Sequence, residues 1–302
     1  MTKKIRIGTR GSELALWQAR HVAELIGKGK TELVIIKTEG DRIQNVSFNK
    51  MEGKGFFTKE IEDALLDNRI DLAVHSLKDL PTEEVRGLKL AAVPERADFH
   101  DLLIIRPDAY DEKSVLKIKK GSRIGTSSAR RMAQLLAIDS SLAVEALRGN
   151  VNTRIRKLGD KVYDAIVMAR AAVERISLGV DEFIIQELGC EIFLPAPAQG
   201  ALGLQIREED REVFDIIRRL NDNKTETLVT AERSFLKNFG GGCHIPLGAY
   251  AFFNGQDIIL EGLIASTDGS FVAREKVTGR DPVTLGLELA VKIKSMGAEK
   301  YI

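Results

Sequence analysis

Net charge is nearly absent from this chain: 45 Lys and Arg stand against 44 Asp and Glu, leaving +1 over 302 residues. A chain so balanced has no overall pull toward nucleic acid or a membrane surface, so any electrostatic specialisation is local. Histidine and cysteine are scarce as well. The four histidines, His21, His75, His100 and His244, are scattered without an H-E-x-x-H pattern. Cys190 and Cys243 belong to no C-x-x-C or Cys/His pair of ligand spacing, so no metal is expected. Apolar runs fall far short of a bilayer-spanning helix, and Met1-Thr-Lys-Lys leads into a strand pattern rather than an apolar leader. The chain therefore reads as cytoplasmic. What is present is 44% apolar and 29% charged residues, an ordinary globular balance over a length that holds two or three cores.

The most informative stretch runs from Asp71 to Pro81. Leu72, Ala73 and Val74 read as a buried strand, and Ser76, Lys78 and Asp79 follow before a proline that cannot continue a central strand. Polar groups thus gather at a strand's carboxyl end, where open α/β sheets bind ligands, and Asp79 is the only carboxylate among them. Two readings stand side by side: a functional carboxylate, or a simple turn through Asp79 and Pro81 with His75 and Ser76 as strand-end hydrogen bonders.

Upstream, Ile5 to Gly8 reads as a strand, followed by Thr9, Arg10, Gly11 and Ser12. A helix then carries Leu16, Ala19, Ala23 and Ile26 at helical spacing, with Ser12 as its N-cap and the free N–H groups behind it as an anion site. After a strand at Leu33 to Ile36 the pattern breaks down. Between Glu39 and Thr58 too few apolar groups are present to offset ordering, so the segment reads as a mobile lid, to which Lys50, Lys54 and Phe57 are assigned. A helix from Lys59 to Asn68 completes the order β-α-β-lid-α-β. Residues 123–126, Arg-Ile-Gly-Thr, then repeat residues 6–9 letter for letter. Both copies run strand, Gly-Thr turn, serine, helix, which predicts two similar α/β domains facing a shared cleft. In the second, Val144 to Arg148 is read as a strand, Asn150 as an N-cap, and Asp164 to Met168 as a strand leading to Arg170. A proline-punctuated crossover from Phe193 to Arg207 returns the chain to the first domain. From about Asn221 a helix, the run Gly240-Gly-Gly-Cys-His-Ile-Pro246 and three strands form an α+β domain, with Asn254-Gly255 and Asp268-Gly269 as hairpin turns and a closing helix after Asp281-Pro282.

Arginine concentrates at the polar ends of the second unit: Arg123, Arg130, Arg131, Arg148, Arg154 and Arg170, with Arg10 at the matching place in the first. Guanidinium groups hold carboxylates or phosphates in two-pronged fashion, and many of them in a neutral chain point to a small polyanionic ligand; the alternative is solvated helix faces. Cys190, placed at the end of an apolar helix, reads as a buried structural thiol. Cys243 lies in a glycine run that lets the backbone approach another body, which favours a covalently carried group. Serine-lysine chemistry at Ser76 and Lys78, or a Schiff base at Lys54 or Lys59, has no supporting signature.

Taken together these residues resemble the porphobilinogen deaminase (hydroxymethylbilane synthase) family over essentially the whole chain. The resemblance is carried by Thr9-Arg10-Gly-Ser12, Gly53-Lys54-Gly55, His75 to Pro81, Ser127-Ser128-Ala-Arg130-Arg131, Leu147 to Asn150 with Asn152-Thr153-Arg154, Pro197-Ala-Gln199-Gly200, and the cysteine loop from Glu232 to Gly248. It implies two similar periplasmic-binding-protein-like α/β domains facing a cleft, plus a smaller α+β domain with a three-stranded antiparallel sheet. The boundaries are 1–95 with 196–215, then 96–195, then 219–302. It implies a monomer that condenses four porphobilinogen units, with loss of ammonia, on a dipyrromethane cofactor joined to Cys243 through a thioether. Asp79 would be the catalytic carboxylate. Ser76, Lys78, Ser128, Arg130, Arg131, Arg148 and Gly149 would hold the cofactor, and Arg10, Ser12, Arg148, Arg154, Arg175 and Gln199 the substrate. In one departure, the chain reads Ala171-Ala172-Val173-Glu174-Arg175 where the family pattern carries glycine second, and Arg170 precedes it. The rival class is a non-enzymatic solute binder of the same architecture; the cysteine loop and Asp79 favour the enzyme.

Overall fold

A computed structural model describes residues 4–38, 58–241 and 245–301. The chain divides into two compact units, residues 1–97 with 200–229, and residues 98–199 with 230–302.

The first unit is built on β1 (Ile5–Thr9), α1 (Glu13–Ile26), β2 (Thr31–Ile35), α2 (Lys59–Leu66), β3 (Leu72–Ser76), β4 (Leu88–Ala92) and β10 (Leu202–Arg207). The sheet order is β2-β1-β3-β10-β4. β1 runs parallel to β2 and β3, whereas β10 runs antiparallel to β3 and β4. β3 is buried on both faces, as a strand covered by helices on each side must be. Successive side chains take opposite faces. Leu72 and Val74 join Ala19, Val22 and Ile26 of α1 on one side, while Ala73 joins Ile61, Ala64 and Leu65 of α2 on the other. The apolar positions of α1 fall at helical spacing, and full burial of one such Val or Ile is worth about 1.5–3 kcal/mol. α6 (Arg211–Ile217) follows β10 and covers the α1 face with Val213 and Ile217.

The second unit repeats the plan with β5 (Asp101–Ile105), β6 (Arg123–Gly125), α3 (Ala129–Ile138), β7 (Ala143–Glu145), α4 (Val151–Gly159), β8 (Ala165–Ala169), α5 (Arg170–Arg175) and β9 (Ile184–Leu188). Its order is β7-β6-β8-β5-β9, again with the fourth strand antiparallel to its neighbours. The fourth strand of each sheet lies next to the point where the chain passes between units, β5 just after residue 97 and β10 just after residue 199. Beyond α7 (Asn223–Lys237), the antiparallel sheet β11 (Leu247–Asn254), β12 (Asp257–Ala265) and β13 (Val272–Gly279) packs under α8 (Pro282–Ser295), whose Leu289 would lie 2.7 Å from a Cβ at Gly262.

That sheet is fastened to α3 and to the crossover. Leu263 and Ala265 cluster with Ala133 and Leu194. Gly269, at φ +73, brings the β12–β13 turn so close that a Cβ would meet the Ala137 nitrogen at 2.5 Å. Glu232 of α7, fully buried, accepts from the N–H groups of Ala198 at 2.6 Å and Ala251 at 3.0 Å.

Two readings of local structure are corrected. Cys190 follows strand β9 rather than a helix; Ile184 to Leu188 alternates half-buried and exposed before a buried end, the period of a strand against one covering face. The strand read through Arg148 stops at Glu145, because Leu147 leaves the ladder to bury against Leu158 and Tyr163. Arg170 opens α5, as the first residue after β8. β4 and β5 were not foreseen.

Candidate functional site

In the first unit a pocket opens at the carboxyl ends of parallel strands β1 and β3. It is lined by Arg10, Ser12, Ala15 and Gln18 from the start of α1, by Thr58 and Ile61 from the start of α2, and by Val74, His75, Ser76 and Asp79. Ser12 caps α1 through the Ala15 N–H at 3.4 Å, which fixes the helix terminus and its partial positive charge at the pocket wall. Ser76 accepts from the amide of buried Gln18 at 2.8 Å. Beyond Ser76 a 3-10 turn, Leu77–Asp79, plugs Leu77 into the core and swings Asp79 outward, leaving Lys78 half-buried. The Asp79 carboxylate is exposed, and no protein group among the described residues bonds to it. It lines the same pocket as Arg10 and the N-terminus of α1.

The second unit holds the opposite charge, and buries it. Asp101, the first residue of β5, is 1% exposed and faces two arginines from the first turn of α3. Arg131 donates Nε at 3.1 Å and an NH2 at 2.6 Å to Asp101 Oδ1. Arg130 pairs with Oδ2 at 2.8 Å and donates to the Leu194 carbonyl at 2.7 Å. Gln199 donates to Asp101 Oδ1 at 3.0 Å and to the Phe99 carbonyl at 2.8 Å. The two arginines hold the Asp101 carboxyl far below the ordinary carboxylate range despite burial, which alone would raise it. Burial pushes the Arg130 guanidinium downward. Two guanidinium charges share one carboxylate, so the cluster keeps a positive surplus that a carboxylate-bearing group suits. Asp101 was missed in the sequence because its signal is a lone acid at the head of an apolar run.

The remaining arginines differ in setting. Arg148 is half-buried in the loop before α4, and its carbonyl accepts from Lys157 at 3.2 Å. Gly149 follows at φ +114, where a Cβ would meet Thr153 at 2.6 Å, so only glycine fits. Asn150 caps α4, and Arg154 Nε donates to the Gly149 carbonyl at 2.9 Å. Arg175 ends α5, its pKa lowered to about 10 by burial. Arg170 is ion-paired to Glu174, Glu187 and Asp98. It thereby offsets the acids of the Asp98, His100 and Glu187 group, whose donor atoms lie together. Ser128 caps α3 through the Arg131 N–H. Cys243 and the lid residues Lys50, Lys54 and Phe57 lie outside the described residues. Burial raises the Cys190 thiol to about 12, which makes it a poor nucleophile.

These features define an α/β protein of two five-stranded sheets and a smaller antiparallel one, with a polar pocket at the strand ends of one large sheet and a buried cationic cluster in the other unit. Residues 5–215 match the family model described as "Porphobilinogen deaminase, dipyromethane cofactor binding domain", and residues 226–295 match its C-terminal domain. Curated proteins named porphobilinogen deaminase are similar over their full length. That of Maridesulfovibrio salexigens is 44% identical, covering 99% of this chain and 97% of its own. That of Bacillus subtilis is 41% identical, covering 100% and 96%. The chain belongs to the porphobilinogen deaminase family. Among solved structures, an arginine-specific periplasmic binding protein of Salmonella typhimurium is 12% identical, covers 74% of this chain and 94% of its own, and has a TM-score of 0.41, a likeness that carries no argument.

Proposed function

We infer that the chain is a porphobilinogen deaminase, a transferase of tetrapyrrole biosynthesis. It condenses four porphobilinogen molecules head to tail, with loss of ammonia, onto a dipyrromethane cofactor, and releases hydroxymethylbilane by hydrolysis. Membership of the family over the whole chain carries this reading. The cofactor, when bound, supplies a ring carbon that acts as the nucleophile toward incoming substrate. Cys243 is proposed as its thioether anchor. Arg130 and Arg131 would bind its acidic side chains, since their surplus charge is the chemistry such a group requires, with Ser128, Arg148 and Gly149 beside them in the same unit.

Asp79 is proposed as the catalytic carboxylate. When the aminomethyl C–N bond breaks and ammonia leaves, positive charge develops over the substrate's pyrrole ring. A carboxylate that lines the pocket, and to which no described residue bonds, stabilises that charge electrostatically. Arg10, Ser12 and the N-terminus of α1 offer donors for the substrate's acetate and propionate, and Lys78 and Ser76 adjoin them. Arg154, Arg175 and Gln199 are proposed as further substrate ligands. Of these, Gln199 spends its amide N–H groups on Phe99 and Asp101, so its contribution is to brace the cluster.

The domain boundaries 1–95 with 196–215, 96–195 and 219–302, and action as a cytoplasmic monomer, are proposed with it. Among the described residues no helix is long and apolar enough to cross a membrane. Intact mass of the purified protein, with ammonia release from porphobilinogen, tests the function. The expected result is a polypeptide heavier by one dipyrromethane, lost in Cys243→Ser and kept in Cys190→Ser. A bare mass with no ammonia release would leave a solute binder, and size-exclusion chromatography tests the monomer.

A further inference from the structure

One arginine of the second unit has no part in the reaction as described, yet it is held from three sides. Arg170 opens α5, and its Nε donates to Glu174 Oε1 at 2.7 Å. Its Nη1 donates to Glu187 on β9 and lies 3.4 Å from Asp98 Oδ2. Asp98 in turn pairs with His100 Nδ1 at 2.9 Å, and the His100 carbonyl accepts from the Arg170 backbone N–H at 3.0 Å.

Of the three acids, Glu174 stands nearest to the proposed chemistry, because Arg175 follows it in the chain. Glu174 lies one helical turn after Arg170 and on the same face, whereas adjacent residues of a helix point about 100° apart. The helix thus turns Glu174 toward Arg170 and Arg175 to another side. Among the described residues, Arg170 is the one cation that bonds to Glu174. The Arg175 guanidinium still feels the Glu174 charge: burial lowers it to about 10, and the neighbouring carboxylate pulls the other way. Charges act over longer distances in a site this shielded from water than at an open surface. A bare carboxylate next to Arg175 would therefore oppose any second carboxylate brought to that guanidinium.

We propose that Arg170 is a positioning residue for substrate binding: by holding and neutralising Glu174, it keeps that carboxylate from competing with the substrate's acetate or propionate for Arg175. The proposal rests on the reading of Arg175 as a substrate ligand. Glu187 and Asp98 complete the arrangement, since they fix the Arg170 guanidinium from outside its own short helix. Arg170 acts through Glu174 and touches no substrate itself.

A second substitution separates this role from simple bracing of α5. Arg170→Gln removes the cation and leaves the Glu174 charge, so the KM for porphobilinogen, followed by ammonia release, is expected to rise about three- to tenfold with kcat near wild type. Adding Glu174→Gln should return KM to within about twofold of wild type, although it changes a further residue of the helix. Bracing alone predicts the opposite, a double variant at least as impaired as the single one. Arg170→Lys keeps the charge and should leave KM close to wild type, and melting temperatures should not follow KM across the set. If Arg170→Gln is too unstable to assay, Arg170→Met with and without Glu174→Gln repeats the comparison. A KM that stays raised in the double variant would mean that Arg170 meets the substrate directly or only supports the helix. Unchanged KM in a stably folded Arg170→Gln would mean that Glu174 has no influence on the site. Either result overturns the proposal. Arg175→Ala is the control on the parent reading: if its KM does not rise, Arg175 holds no substrate and that reading has failed instead.

Discussion

The two five-stranded sheets are copies of one design that ends in two different chemistries. Register makes the correspondence residue by residue. Ser12 caps α1 as Ser128 caps α3, so Leu14 and Ala15 stand where Arg130 and Arg131 stand. Leu202 opens β10 opposite Ser76, and Asp101 opens β5 opposite Ala169. The trio is apolar in the first sheet and ionic in the second. Three residues past Ser76 and Ala169 the difference reverses: the first sheet carries Asp79 where the second carries Ala172. One frame therefore leaves a pocket lined by an acid in one unit and buries two cations on one acid in the other. The opposite ends of the strands have not diverged. In the first sheet Asp71 is clasped by Arg6 at 2.7 Å and Arg207 at 3.0 Å. In the second Asp164 is clasped by Arg106 at 3.4 Å and, loosely, by Arg123 at 3.9 Å. The amino ends of the parallel strands carry the shared scaffold and their carboxyl ends carry the differences, at the place where open α/β sheets bind ligands.

The largest effect should come from the residue with no counterpart. Asp79→Asn keeps the shape and removes the charge, and turnover measured by ammonia release is expected to fall at least about 10²–10³-fold. Unfolding free energy should move by less than about 0.5 kcal/mol, because the side chain is exposed and unbonded. Near-normal turnover would break the comparison at its functional end.

Converting the second sheet into the first tests the ionic trio. Asp101→Leu alone strands two buried guanidinium groups and should cost about 3–5 kcal/mol in urea unfolding. Adding Arg130→Leu and Arg131→Ala, which copies Leu202, Leu14 and Ala15, should recover most of that loss, since well-packed apolar residues commonly replace a buried ionic cluster without penalty. The recovered protein should carry little cofactor by intact mass. Full loading of the triple variant would mean that the surplus charge serves some other purpose.

His75 gives the first unit a pH dependence that a neutral side chain there would lack. With a folded pKa near 4 against an ordinary 6.5, the unfolded state binds the proton first, so stability is complete above about pH 6.5 and declines as pH falls toward 4. The decline amounts to about 3 kcal/mol. Denaturation curves across that range should show it in the wild type and not in His75→Gln.

The smallest effects concern the shared clasps. Arg6→Ala removes a two-pronged bond to a nearly buried carboxylate and should cost about 1.5–3 kcal/mol. Arg123→Ala removes a long contact from a half-exposed side chain and should cost less than about 1 kcal/mol. Equal losses would show that the second clasp is tighter than its distances suggest.

Local patterns were sufficient for much of this. The Gly-Thr turns, the N-caps at Ser12 and Asn150, the hairpins at Gly255 and Gly269, and the burst ending in Asp79 are short-range features whose chemistry is written in adjacent residues. The repeat of Arg6 to Thr9 at Arg123 to Thr126 foretold two related sheets. The sequence by itself thus determined which residues begin and end most elements and which polar groups gather at the strand ends. Only the tertiary structure decided that β5 and β10 enter their sheets antiparallel, because strand order depends on partners some 65 to 130 residues distant. It alone decided that Arg130 and Arg131 are buried on Asp101, that Arg170 is occupied by three acids, and that His75, Gln205 and Glu62 join in one buried line of hydrogen bonds. Each of these depends on which groups share a low-dielectric interior, and burial is a property of the folded neighbourhood that no residue carries along its own stretch of chain.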